Sequence, residues 1–181
     1  MRRTRNVRSD RACAVSAALA VLILAQTGLS AVATYYVKPD GSDSNDGTSW
    51  DAAFATVKKG IAAVQNASAG SVLMVGKGRY LVQGQGFTGG TGDNAFKTIR
   101  GATGDPADVI LDGGGTTNVM QLARGVIVAD LTITNGYNVG YSAVYASGIR
   151  AGATDRTEYV IVTNCIVTGC RNGSSGAAIY L

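Results

Sequence analysis

Apolar residues change their spacing twice along this chain, and each change marks a boundary. The first pattern is a solid run. It starts at Ala12, is densest over Ala17-Ala-Leu-Ala-Val-Leu-Ile-Leu-Ala25, and ends at the small residues Ala31-Val32-Ala33. Arg2, Arg3, Arg5, Arg8 and Arg11 precede or open it, against one acid, Asp10. A basic start, an apolar centre and a small-residue end make a secretory signal peptide. The strongly apolar part is shorter than the roughly 20 residues a bilayer core requires, and Gln26, Thr27 and Ser30 dilute its end. Residues 1–33 are therefore expected to be cleaved after Ala33, leaving a secreted or cell-surface protein with no stable membrane span. No hydrophobic residue follows Arg2-Arg3 where twin-arginine export needs one, and Cys13 lies at the wrong end of the run for lipid attachment.

The second pattern is helical. After a short strand, Thr34-Tyr-Tyr-Val37, and a turn-rich loop over 38–48, the residues Trp50, Phe54, Val57, Ile61 and Val64 fall at offsets 0, 4, 7, 11 and 14. That is one apolar stripe at helical period, with Ser49 placed to cap it. The third pattern begins beyond Gly70. Short β-branched runs alternate with Gly- and Asn-rich turns: Val72–Val75, Val109–Leu111, Val126–Val128, Leu131–Thr134, Val160–Val162 and Ile166–Val167. These read as strands with no helix between them.

The strands repeat. Residues 125–135 align with 159–169 at an offset of 34, and a second ladder links Met120, Ile149 and Ile179 at steps of 29 and 30. Unequal steps suit a β-solenoid, whose loops vary while its strands keep register. A β-sandwich built from hairpins is the alternative, but it calls for alternating strands and two-residue turns, and many of these runs are apolar throughout. The expected organisation is a signal peptide at 1–33, a strand, loop and capping helix at 34–70, and stacked strands at 71–181.

Composition narrows the chemistry. With 181 residues there is room for one ordinary domain. A charged fraction of 15% and a mean hydropathy of +0.14 argue against disorder. The 16 basic residues exceed the 12 acidic ones, but the excess belongs to the signal segment. The remainder balances to zero, which gives no support to nucleic-acid binding. Histidine is absent. Ser-His-Asp and Cys-His sites, histidine-ligated zinc and imidazole bases are therefore excluded.

Three segments carry a resemblance: Tyr35-Tyr-Val-Lys-Pro-Asp-Gly-Ser-Asp-Ser-Asn-Asp-Gly-Thr-Ser-Trp50, Ala53-Phe-Ala-Thr-Val57 and Val72-Leu-Met-Val-Gly-Lys-Gly-Arg-Tyr80. They resemble the opening of pectin-lyase-like proteins, and 164–172 and 176–180 resemble later coils of the same group. The resemblance implies an all-β fold, a right-handed parallel β-helix with an N-terminal capping α-helix. It implies an extracellular protein that binds acidic polysaccharide or cleaves it by calcium-assisted β-elimination. A non-catalytic surface or adhesion solenoid is the other reading. The last residues, 177–181, stop within what reads as a strand, so further coils are expected in a longer protein, and catalytic residues of such enzymes lie in central coils.

Candidate site residues are few. Asp40, Asp43, Asn45 and Asp46, with Asp51 nearby, cluster the hard oxygens that calcium prefers. With Gly47 as the sixth loop position, however, positions one, three and twelve are Ser42, Ser44 and Ala53, which fails the EF-hand pattern. The competing reading is a solvated turn whose Asp and Asn side chains bond their own backbone. Gly84-Gln-Gly-Phe-Thr-Gly89 satisfies G-x-G-x-x-G, but Gly90-Thr-Gly-Asp93 follows where a phosphate-binding helix would start. Gly89–Asp93 comes near a calcium-binding nonapeptide, with its Asp one place early. Asp112, Asp130, Asp155 and Glu158 are the coil acids, and Lys97, Arg100, Arg124, Arg150 and Arg156 the candidate bases. The Arg-x-x-Arg-x-Pro-x-x-Arg pattern of one pectate lyase family is absent. Cys165 and Cys170 form C-x4-C. An oxidising compartment permits a disulfide between them, while the alignment sets Cys165 where Leu131 stands, an inward apolar position.

Overall fold

The computed structural model describes residues 31–89, 96–138, 147–151, 159–173 and 178–180. Residues 1–30 of the expected signal peptide, Gly90–Asp93, and Asp155, Arg156 and Glu158 lie outside that set. The described fold is all-β with one helix, and every strand pairing in it is parallel. Parallel neighbours cannot be joined by hairpins, so the sandwich alternative falls.

Strand β1 (Thr34–Val37) and helix α1 (Val57–Asn66) open the chain. The strands then follow in circuits. The first circuit is β2 (Val72–Val75), β3 (Gly78–Leu81) and β4 (Gln85–Phe87). The second is β5 (Lys97–Gly101), β6 (Val109–Asp112) and β7 (Met120–Leu122). The third is β8 (Val126–Ala129), β9 (Thr132–Thr134), β10 (Tyr137–Asn138) and β11 (Ile149–Ala151). The fourth is β12 (Val160–Thr163), β13 (Ile166–Thr168), β14 (Arg171–Asn172) and β15 (Ile179–Tyr180). Equivalent strands of successive circuits stack in order: β1-β2-β5-β8-β12 in one sheet, β3-β6-β9-β13 in a second, β4-β7-β11-β15 in a third, and β10-β14 in a short fourth.

The repeats found in the sequence are these stacks. Val126, Val128 and Thr132 pair with Val160, Val162 and Ile166, all at the offset of 34. Met120, Ile149 and Ile179 stand in one ladder. Corners recur too: Gly125 and Tyr159, Asp130 and Asn164, and Asn135 and Gly169 all hold positive φ, between 46° and 73°. Only a few residue types take that conformation without strain, so these corners constrain the sequence as firmly as the inward apolar positions do.

The core is the column of inward side chains between the sheets. Val37, Leu73, Ile99 and Val128 from one sheet meet Leu111 and Ile133 from the second and Phe87, Met120 and Ile149 from the third, all fully buried. Helix α1 closes one end of this column. Its Val57, Ile61 and Val64 are buried, and Gly60 lets it sit so close that an added Cβ would lie 2.5 Å from Leu73 Cδ1.

The helix is shorter than its apolar stripe predicts. It starts at Val57, not Trp50, and its cap is Thr56, whose hydroxyl accepts from the Lys59 N–H at 3.2 Å. Ser49 caps only a turn, accepting from the Ala52 N–H at 3.1 Å. Phe54 pairs with Val37 as an isolated parallel bridge, and Trp50 lies against Tyr36 with ring centroids 4.8 Å apart. The stripe at 50 and 54 therefore belongs to a wound loop beside β1, in which Phe54 is buried while Trp50 covers Tyr36 and stays 40% exposed. Cys165 and Cys170 are both free thiols, half-buried, and Cys165 packs against the core at the Leu131 position.

Candidate functional site

The acidic loop is tied inward by its own side chains. Asp43 accepts from the Ala55 N–H at 3.0 Å, the Thr56 N–H at 2.9 Å and the Thr56 hydroxyl at 2.7 Å. Burial works against its ionisation, but the Thr56 and Ala55 bonds, with Lys59 nearby, hold its carboxyl below the ordinary carboxylate range. Asp46 accepts from the N–H and hydroxyl of Thr48, which lower its pKa as well. Asn45 donates to the Ala53 carbonyl at 3.0 Å, and Asp40 stands exposed, 3.6 Å from Lys38 Nζ. These bonds match the turn reading of the loop. Among the described residues no group of three or more Cys, Asp or Glu side chains is gathered as a metal site would need, so nothing below is built on a bound cation.

The coil acids are separated and engaged. Asp112, at the end of β6, binds Arg79 at 2.5 Å and accepts from the Gly114 N–H and the Asn135 amide at 2.8 Å. Burial opposes its ionisation, and the Gly114, Asn135 and Arg79 partners override that and depress its pKa. Asp130, at the corner before β9, binds Arg100 and accepts from the Asn164 amide at 2.9 Å. Asp112 is in register with Thr134 at the far end of β9. A strand rise of about 3.3 Å per residue sets the two acids on the order of 12 Å apart, beyond the roughly 5–9.5 Å used for glycoside hydrolysis.

The candidate bases are dispersed. Lys97 is buried, donates from Nζ to the Gln65 carbonyl at 2.7 Å at the end of α1, and has its pKa pushed down by burial. The Arg124 guanidinium lies 5.7 Å from the centre of the Tyr159 ring. Arg150 is on β11, in register with Gln121 and Tyr180. The G-x-G-x-x-G segment contains strand β4, and its Phe87 is buried in the core.

A cleft of about 310 Å³ lies elsewhere, at the corner between the second and fourth sheets, lined by Gly115, Asn135, Gly136, Tyr137, Gly169 and Arg171. Register explains why it is open. One residue past the pairs Asp112–Thr134 and Thr134–Thr168, the column reads Gly113, Asn135, Gly169. A single amide thus stands between two positions without side chains. Asn135 is held by its bond to Asp112, and Tyr137 and Arg171 are paired neighbours in β10 and β14. The Arg171 main chain is fixed by donation to the Gly136 carbonyl at 2.9 Å. Among the described residues Lys38, Lys77, Arg79 and Arg100 have acidic partners, and Arg171 is in no such pair.

The cleft therefore combines an aromatic ring, an oriented amide and an uncompensated guanidinium. These groups recognise a polar ring bearing an anion. A smaller cleft of about 200 Å³ is lined by Lys58, Leu81, Val82, Gln83 and Gln85. The larger one is lined by none of the acids and bases that the sequence singles out, although the 34-residue offset already sets Gly169 opposite Asn135. No protein-family model matches the chain, and no curated protein matches it. Among the described residues no helix is long and apolar enough to cross a membrane.

Proposed function

We propose that this chain is a secreted or cell-surface parallel β-helix of the pectin-lyase-like kind that binds acidic polysaccharide at the Asn135–Tyr137–Arg171 cleft. One observation carries the reading: Arg171, in no acidic pair among the described residues, stands in register beside a tyrosine, over a gap left by Gly169. A cleft of this volume accommodates one sugar ring, and the guanidinium matches a uronate carboxylate in bidentate geometry. Cleavage has less support than binding. Asp112 and Asp130 are each neutralised by an arginine and stand too far apart to share a bond.

The test is binding of polygalacturonate and alginate oligomers, with a neutral glucan as control, measured by calorimetry. Binding of the acidic oligomers is expected to weaken at least tenfold in Arg171→Ala, the loss of about one charge-assisted pair. Gly169→Asn is expected to narrow the cleft by extending the Asn135 column, at some cost to the fold, since a Cβ there would meet Thr134 Oγ1 at 3.1 Å although Asn is among the residues that tolerate positive φ. Equal affinity in all three proteins, or equal affinity for the neutral glucan, would overturn the reading. Ultraviolet absorbance from unsaturated uronide products, with calcium added, would replace binding by β-elimination.

A further inference from the structure

Both clefts lie where the chain leaves the second sheet. Val82, which lines the smaller one, follows the Leu81–Asp112 pair and so stands in register with Gly113. The column continues through Asn135 to Gly169 at the larger one. From the first circuit to the fourth this column runs roughly 14 Å, at about 4.8 Å per strand. What lies between the clefts is glycine. Gly115 lines the larger cleft. A Cβ on its neighbour Gly114 would lie 2.9 Å from Gln83 Nε2 and 3.0 Å from Leu81 Cδ1, and both residues line the smaller cleft. No side chain rises from 113–115 to part the two spaces. Gln83 is held beside this floor by donating to the Thr116 hydroxyl at 3.1 Å.

The near end of the trough is built by the cap. Lys58 is exposed in the first turn of α1, whose Val57, Gly60, Ile61 and Val64 are buried. Lys58 lines the smaller cleft and, like Arg171, is in no acidic pair among the described residues. Gln83 and Gln85 add amides that donate to and accept from hydroxyls. Two uncompensated cations thus stand at opposite ends of an uncharged glycine floor.

We propose that Lys58, Gln83 and Gln85 form a second subsite for the same ligand. A linear uronate oligomer that seats one carboxylate at Arg171 passes over Gly113–Gly115 and brings a later carboxylate to Lys58. This rests on the Asn135–Tyr137–Arg171 reading above, and it adds a required length and a role for the capping helix. Two charges fixed on one stack select for spacing as well as sign. A short oligomer engages one end, and a longer one gains the second contact within the same complex. An ammonium suits the second end, because it meets a carboxylate as a point charge without demanding a fixed plane.

Calorimetry at low salt with the dimer and the hexamer of galacturonate tests this. The unaltered protein is expected to bind the hexamer at least fivefold more tightly than the dimer. Lys58→Gln is expected to weaken hexamer binding by about two- to fivefold, as loss of an exposed pair does, and to leave dimer binding unchanged. Lys59→Gln, next along α1 and outside the cleft lining, is the control and is expected to alter neither. Hexamer affinity unchanged in Lys58→Gln, with binding still weakened in Arg171→Ala, overturns the second subsite and leaves the first standing. An equal loss in both lysine variants also overturns it, since that is diffuse attraction to the helix. Failure of both oligomers to bind overturns the reading on which the second subsite rests.

Discussion

Single residues carry much of this fold through backbone geometry. Gly47 holds φ of 73°, and a Cβ there would lie 2.1 Å from the Phe54 ring. Gly47→Ala is therefore expected to cost more than about 2 kcal/mol, combining strain and overpacking, and a urea titration would read it directly. Asp43 binds the loop to the helix entrance by three hydrogen bonds. Asp43→Asn is expected to lower the melting temperature equally with and without calcium. A calcium-dependent rise in melting temperature that vanishes in this variant would instead assign the loop to the cation. Asp43 and Asp112 also set the acid limit of stability. Both have folded pKa values below the ordinary value near about 3.9. Such groups contribute stability in full above the unfolded pKa, and lose it as pH falls through the depressed folded values. Stability is expected to be level from neutrality to about pH 5 and to fall below pH 4, with a shallower fall in Asp112→Asn. A decline already under way at pH 6 would contradict this.

At the scale of elements, legibility followed the number of inward residues. Val72–Val75 and Val126–Ala129 announce themselves because several neighbouring positions are apolar. Strand β3 buries only Tyr80, and β4 only Phe87, so their alternation is too short to register as strand. The helical stripe was legible but overlong, because Trp50 and Phe54 satisfy a helical period while packing on Tyr36 and Val37 in a loop. Periodicity records the spacing of apolar residues; it records neither the backbone that carries them nor that Trp50 stays 40% exposed. The cleft escaped the sequence for a related reason. It is made by the lack of a side chain at Gly169, and a search for acids, bases and metal ligands passes over glycine. The stack also predicts a gradient. Leu111→Ala, in the middle of the column, is expected to cost about 2–5 kcal/mol. Val162→Ala, in the half-buried fourth circuit, is expected to cost less than about 1 kcal/mol. Equal losses at the two sites would show that the circuits are not buried as their exposures indicate.

For the whole molecule, repeated register is the organising fact. Each circuit supplies one apolar layer and one set of corners, and the cleft proposed to bind opens where neighbouring circuits fail to match, at the column Gly113, Asn135, Gly169. The proposed partner follows from Arg171, which among the described residues is in no acidic pair, whereas Arg79 and Arg100 are. The decisive measurement is an amide chemical-shift titration of the isotope-labelled protein with an acidic uronate oligomer. Shifts are expected to concentrate at Gly115, Asn135–Tyr137 and Gly169–Arg171, and to disappear in Arg171→Ala. Shifts centred elsewhere, at the acidic loop or around Trp50, or none at saturating oligomer, would contradict the assignment of this cleft as the binding site.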